Sequence, residues 1–413
     1  MLVLEGAIAL MAELKRVASA AVDDCRDELQ QLSDELWRHP ELCFKEHKAH
    51  DLLTSFLERK GFTVERGYTG IETAFRATFG SGRPNVCVIS EYDALPEIGH
   101  ACGHNLIAEA GVAAGLGVKA ALESSGAPKG TVTVMGTPAE EGGSGKVRLA
   151  ENDAFKDVDI AIMVHPAPFT IVEAHCLAMR EMKVTFTGKA AHAAAFPWEG
   201  VNALDAAVMA YNSISVLRQQ MKPDWRVHGV ITNGGTKPNI IPEKTELEYW
   251  VRAPTAMELV TLKKKVVACF EAAAKSTNCQ VDITVEGTEL ELNNSPVLAT
   301  LFSNNLKAFG VKEFPQEGIK TGSTDMGSIS YMLPALHPNY KIGSGAEINH
   351  TREFTSIANT PEAHRETLVF AKVMAHTCID VMMQPESLET AKKDFRSSIA
   401  NLEFEPLPFL QGK

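Results

Sequence analysis

The 413 residues are too many for one compact core and suit a chain of two domains. With 45% hydrophobic and 22% charged residues and no low-complexity tract, the balance is that of a soluble globular protein. The net charge of −12 argues against nucleic acid or an anionic membrane as a main partner.

The apolar opening from Leu2 to Met11 contains Glu5 and runs on into Glu13, Lys15 and Arg16. It is about half the length a membrane span needs and lacks a basic leader, so it reads as an amphipathic helix. The cysteines at 25, 43, 87, 102, 176, 269, 279 and 378 lack the spacing of a disulfide framework. A reducing compartment, the cytoplasm, is the expected location.

Residues 20–60 read as helix broken at His39-Pro40, with Leu29, Leu32 and Leu36 at helical spacing. Strands follow at Thr73–Phe79 and Asn85–Ser90, then an Ala/Gly-rich helix through Ala108–Leu122, then strands at Thr131–Gly136 and Ile160–Val164. This alternation predicts an α/β layer with a mostly parallel sheet. Near residue 179 the pattern changes. Met182–Thr187, Arg226–Thr232, Thr245–Val251 and Gln280–Val285 read as strands, with helices at Asn202–Gln219 and Glu258–Ala274. The order β-α-β-β-α-β is that of a ferredoxin-like domain. Residues 179–292 are therefore expected to form an inserted lid or dimerisation domain, and 1–178 with 293–413 a discontinuous outer domain.

Four segments of the outer domain carry residues suited to chemistry: Glu91–Pro96 leading into His100–Asn105, then Thr137–Gly143, His165-Pro166, and Asn349-His350-Thr351. Three follow strand ends, where open α/β sheets place their ligand crevices. Each residue alone has a plainer reading. A single histidine after a strand is ordinarily a boundary residue, Cys102 a small buried apolar one, and Glu140-Glu141 a solvated turn. Their coincidence at equivalent strand ends points instead to metal, because Cys, His and Glu are the ligands of zinc and similar ions. Of two adjacent glutamates, one can bind metal while the other moves a proton.

These segments resemble the co-catalytic metallopeptidase family of aminoacylases, carboxypeptidases and aminobenzoyl-glutamate amidases. The likeness runs from about residue 25 to 390, and is marked at Glu91–Pro96, Gly99–Ala108, Gly136–Glu141, Tyr211–Pro242 and Thr321–Gly327. It is greatest to the cytosolic branch that acts on β-alanyl-lysine and Xaa-arginine dipeptides. The resemblance implies two divalent ions, zinc or alternatively manganese, on Cys102, His104, Glu141, His165 and His350. It implies a metal-activated water with Glu140 as general base, and Asp93 orienting a ligand. It further implies a homodimer in which His192 reaches the partner's site, with Asn239 and Arg252 binding the substrate's reacting region and carboxylate. Ser323, Thr324 and Asp325 resemble a substrate-contacting loop, Asp325 being a candidate reader of a basic group, although ordinary turn chemistry explains the loop equally well. Asn105 departs from the aspartate that many amidase relatives carry there. His100, His175, His228 and His337 are read as structural residues or as supports behind the metal ligands, and Trp198 and Trp225 as packing residues of the inserted domain.

The expected activity is hydrolysis of dipeptides with a basic C-terminal residue. An N-acyl or aminobenzoyl amino acid amidase is the nearest rival. A non-catalytic metal-binding dimer is a rival of another class, disfavoured by a full ligand set beside Glu140.

Overall fold

The computed structural model of the chain describes residues 2–400 apart from 125, 128 and 313–321. Helices Leu2–Asp24, Arg26–Arg38 and His47–Arg59 open it, with the break at His39-Pro40 where proline disfavours helical backbone before it. Leu29, Leu32 and Leu36 form the buried stripe of the second helix.

The outer domain then lays down β1 (Thr63–Arg66), β2 (Phe75–Ser81), β3 (Asn85–Glu91), β4 (Gly130–Thr137), β5 (Ile160–Ile162) and β6 (His165–Ala167). The chain continues with β7 (Ala178–Thr187), β8 (Arg226–Asn233), β9 (Lys244–Ala253) and β10 (Gln280–Glu289), and returns with β11 (Ala335–Leu336) and β12 (Asn339–Lys341). The main sheet has the order β1-β2-β4-β3-β5-β11. β4, β3, β5 and β11 run parallel, while β2 and β1 add an antiparallel edge. β3 is buried along its whole length, the pattern of a central strand covered on both faces.

One helix sets the depth of this core. His104–Glu123 has the length and apolar composition of a membrane span, yet 83% of that stretch is buried inside the protein. It lies on β3 and packs against Leu2–Asp24 and Pro361–Met383. Its glycines make that approach possible: a Cβ at Gly111 would stand 2.3 Å from the Ile89 carbonyl oxygen, and one at Gly115 2.3 Å from Val134 Cγ2. The helix therefore sits directly on the sheet, and its N-terminal residue, His104, is delivered to the strand ends.

The inserted unit is a four-stranded antiparallel sheet, β10-β7-β9-β8, with helices Ala203–Leu217 and Ala256–Thr277 packed on it. Asn202 caps the first helix and Thr255 the second. Phe186, Ile214, Leu247, Tyr249, Leu262 and Phe270 form its own core, separate from that of the main sheet. β10 runs four residues beyond the expected end at Val285, through a bulge between Val285 and Gly287. Trp225 packs in this core as expected, but Trp198 does not: it is 72% exposed beside Phe196, on the 3-10 turn Pro197–Glu199.

Replacing Gly111 by alanine adds helix propensity but forces a methyl into the β3 backbone. The overpacking term is the larger, so Gly111→Ala should lower stability by about 1–3 kcal/mol in urea unfolding. An unchanged or raised midpoint would contradict the close helix–sheet approach.

Candidate active site

The site forms where β3, β4 and β5 end. Past β3 comes Asp93; past β4 come Glu140 and Glu141; past β5 comes His165, which also opens β6. Three local backbone features draw these segments together. Gly103 adopts φ +78, and a Cβ there would stand 2.4 Å from Pro166 Cγ, so the Cys102-Gly103-His104 turn presses against His165-Pro166. Ala139 (φ 60) turns the chain sharply before Glu140, its amide donating to Glu46 Oε1 at 2.9 Å. His350 (φ 65) donates its amide to the Ala101 carbonyl at 2.8 Å, and Thr351 caps the helix Arg352–Ile357 behind it. Left-handed backbone at non-glycine residues costs roughly 1–2 kcal/mol each, and such strain concentrates at functional sites.

The side chains converge accordingly. Cys102 Sγ lies 3.4 Å from His165 Nε2. His104 Nε2 lies 3.3 Å from Glu91 Oε1 and 3.9 Å from Glu141 Oε1, while His350 Nε2 lies 3.4 Å from the same Glu141 oxygen. Asp93 spans the cluster from beneath: Oδ1 is 3.1 Å from His104 Nδ1, and Oδ2 accepts the Glu141 amide at 2.9 Å. Three donor groups, each with ligand atoms within 4.8 Å of one another, overlap here: Cys102–His104–His165, Cys102–Glu141–His350 and Glu91–His104–Glu140. His104 Nε2, Glu91 Oε1 and Glu141 Oε1 are buried without a hydrogen-bond partner. Buried polar atoms ordinarily find partners. Orphaned nitrogen and oxygen atoms facing one region beside a cysteine sulfur are the donor set a borderline-soft divalent ion needs, so the residues fit two neighbouring ions.

Charge is concentrated in the same place. Burial opposes ionisation of Cys102, yet the charge of His165 beside it, with the neighbouring imidazoles of His104 and His350, holds its thiol well below the usual range. Cys102 and Glu141 beside it push His350 up to about 10. Burial, reinforced by Glu91, Glu141 and Asp325, raises Glu140 well above an ordinary carboxylate.

These groups open into a cleft of about 1170 Å³ between the strand ends and the inserted sheet. Cys102, Glu140, Glu141, His165 and His350 line one side, and Arg252, Ser323 and Thr324 line another. Arg252 Nη1 donates to Ser323 Oγ at 3.0 Å. Thr321, the first residue of that expected loop, lies outside the described residues, as do 401–413 of the outer domain. Asp325 is fully buried and absent from the cleft lining: Oδ1 is 2.7 Å from Lys146 Nζ, and Oδ2 accepts the Lys146 amide at 2.8 Å. Its basic partner is thus the chain's own lysine, which also pairs with Glu91. His192 and Asn239 are not brought to this cleft. Both are exposed on the inserted domain, neighbours through the Ala193 amide and the Asn239 carbonyl.

Lys146 and Glu289 were not singled out in the sequence, Glu91 only as the start of the Glu91–Pro96 segment, and His337 only as a structural or supporting histidine. Glu91 is the last residue of a wholly buried strand, where a carboxylate is rare, and that was its available signal. His337 is buried in the cleft wall with its ring 5.7 Å from that of His165, and burial, with His165 next, holds it well below its usual range.

Removing one member of a buried ion pair strands the other. Asp325→Ala should therefore cost about 3–5 kcal/mol in denaturant unfolding, and Asp325→Asn less. Equal stability of Asp325→Ala and the parent chain would contradict the Lys146 pairing.

A family profile described as a peptidase dimerisation domain matches residues 178–278. The mouse Xaa-Arg dipeptidase is 45% identical over 402 residues, covering 94% of this chain and 93% of its own. A p-aminobenzoyl-glutamate hydrolase polypeptide from Escherichia coli is 31% identical, covering 93% of this chain and 95% of its own. Among solved structures, a dinuclear metal-binding M20 peptidase from Bacillus subtilis superposes with a TM-score of 0.67 at 19% identity, over 87% of this chain and 99% of that one, which speaks for the fold. With full-length likeness to hydrolases of peptide and amide bonds, the same two-domain fold and a dimerisation domain in the inserted position, the chain belongs to the M20 metallopeptidase family.

Proposed function

We propose that the chain is a metal-dependent dipeptidase that hydrolyses dipeptides with a basic C-terminal residue, of the β-alanyl-lysine, Xaa-Lys and Xaa-Arg type. The observation that carries this reading is the joining of two donor triads through Cys102, with Glu140 beside them on a cleft closed by Arg252. The mouse relative at 45% identity supports the substrate class.

In this reading Cys102, His104, Glu141, His165 and His350 hold two divalent ions, which thiolate and imidazole donors suit to zinc, with manganese as the alternative. Bound ions supply an electrophile for the amide carbonyl and an acidified water. Glu140 would take a proton at its carboxylate and return it to the leaving amine, burial favouring the carboxyl that holds the proton between the two steps. Asp93 fixes His104 through Nδ1, leaving Nε2 toward the cluster. Arg252, steadied by Ser323, receives the dipeptide's carboxylate, and Thr324 borders the same wall.

A homodimer completes the site. The outward face of the inserted domain exposes Val208, Met209, Tyr211 and Val216 on one helix, and Val230 and Ile231 on the edge strand β8. An apolar patch beside an open strand edge is a surface that association covers. His192 and Asn239 then act in the partner's cleft, stabilising the developing oxyanion there. Residues 179–292 serve as the lid and dimerisation domain on 1–178 with 293–413. Eight free cysteines fit a cytoplasmic location.

Lys183 and Arg252 on the cleft wall, with the 31% identity to an aminobenzoyl-glutamate hydrolase, favour a second reading, an acyl-glutamate amidase. Side-by-side assays of β-alanyl-lysine and an acyl-glutamate, after chelation and again with zinc or manganese restored, separate them. Metal-dependent release of lysine alone is expected; cleavage of the acyl-glutamate alone would select the second reading.

Glu140→Gln should keep its metal and lose about 10²–10⁴-fold in kcat, measured with metal analysis on the same sample. Loss of metal as well would exchange the roles of Glu140 and Glu141. Mixing Glu140→Gln and His192→Ala subunits should restore part of the activity. Confirmed mixed dimers without restoration would refute the shared site.

A further inference from the structure

The inserted sheet turns one face to the cleft, and its register fixes which side chains meet there. Glu289 on β10 pairs with Met179 on β7, which pairs with Arg252 on β9. One row along, Gly287 pairs with Glu181, which pairs with Trp250. Directly paired residues present their side chains on the same face, and all six of these line the cleft. Arg252 and Glu289 are therefore opposite charges two strands apart, about 10 Å between backbones.

We propose that Glu289, with Glu181 beside it, reads the cationic side chain of the substrate's C-terminal residue. The proposal rests on the dipeptidase reading and names the residue that gives that reading its specificity. A lysine whose carboxylate lies on Arg252 can carry its ammonium roughly 7 Å from that carboxylate, across six bonds of about 1.5 Å, a reach on the scale of the two-strand separation between Arg252 and Glu289. Gly287 keeps the sheet low between Glu181 and Ser144: a Cβ there would already be in ordinary contact with Glu181 at 3.8 Å and Ser144 Oγ at 4.0 Å, so the aliphatic stem lies in the cleft above the glycine.

Glu289 is poorly accounted for by packing alone. It is only 6% exposed, yet its carboxylate borders the cleft and accepts a hydrogen bond from Ser144 Oγ at 3.2 Å. Burial, with Asp325 as the next cause, pushes its pKa up to about 8. A carboxyl so placed gains from an arriving cation, because pairing offsets the desolvation it already bears. Arg252 is drawn down by burial and back up by Glu289 and Glu140, which places these charges within each other's electrostatic reach. A neutral or acidic side chain at the same position would leave Glu289 uncompensated, which discriminates against it.

The test compares metal-loaded parent enzyme and Glu289→Gln on β-alanyl-lysine and on β-alanyl-leucine, whose side chain carries no charge. Cleavage of β-alanyl-lysine by the parent is measured first, and its absence would overturn the dipeptidase reading and the proposal together. Given that cleavage, Glu289→Gln should lower kcat/KM for the lysine substrate about 10- to 100-fold, mainly through KM, with the leucine substrate unchanged or improved. An equal fall on both substrates means a structural role, and no fall on the lysine substrate means that another group reads the cation. Either result overturns the assignment to Glu289. Glu181→Gln, on the same face and further from the buried layer, should reproduce the substrate-selective loss in smaller measure; a loss on both substrates would remove Glu181 from the pocket.

Discussion

Asp93 connects the two parts of the chain on which the site depends. One of its oxygens lies on His104 Nδ1 and the other accepts the amide of Glu141, so a single buried carboxylate couples the start of the core helix to the turn after β4. Burial favours its neutral form, but the His104 contact, aided by the Glu141 amide, keeps it ionised. An ionised Asp93 orients both the imidazole and the turn that carries Glu140. The supporting geometry is costly elsewhere: left-handed backbone at Ala139 and His350, and glycine at 103 because Pro166 leaves no room for a methyl.

The cleft has two walls of different chemistry. The strand ends provide softer donors and carboxylates packed closely, a wall of high local charge that Lys146 and Asp325 brace from behind. The inserted sheet provides fixed charges of both signs at defined spacing, set by strand register rather than by loops. Position and recognition are thereby assigned to different domains. The outward helix and the edge strand β8 remain for association, so one small sheet serves both the cleft and the proposed dimer.

Much of this was legible in the sequence because short motifs carry strong local constraints. The buried strands, the β-α-β-β-α-β order and the metal-type residues after strand ends each follow from periodicity or ligand chemistry. What was not legible depended on pairing across distance. β1 is four residues long and largely exposed, so it shows no apolar run. The end of β10 lies beyond the Val285–Gly287 bulge, where alternation breaks, and Glu289 was hidden with it. Asp325 looked available to a substrate because nothing in its neighbourhood along the chain announces Lys146, 179 residues away. Trp198 looked like a packing residue because large aromatics usually are, and nothing in its local sequence announces that it stands 72% exposed.

The claim on which the rest turns is that Cys102, His104, Glu141, His165 and His350 together hold two ions. Metal stoichiometry tests it most directly, by elemental analysis of the purified chain reloaded with zinc, beside His165→Ala and His350→Ala, whose side chains belong to different donor triads. Two ions per chain are expected in the parent and a loss of about one in each variant. A parent that retains no zinc, or variants that retain as much as the parent, would contradict the two-ion centre.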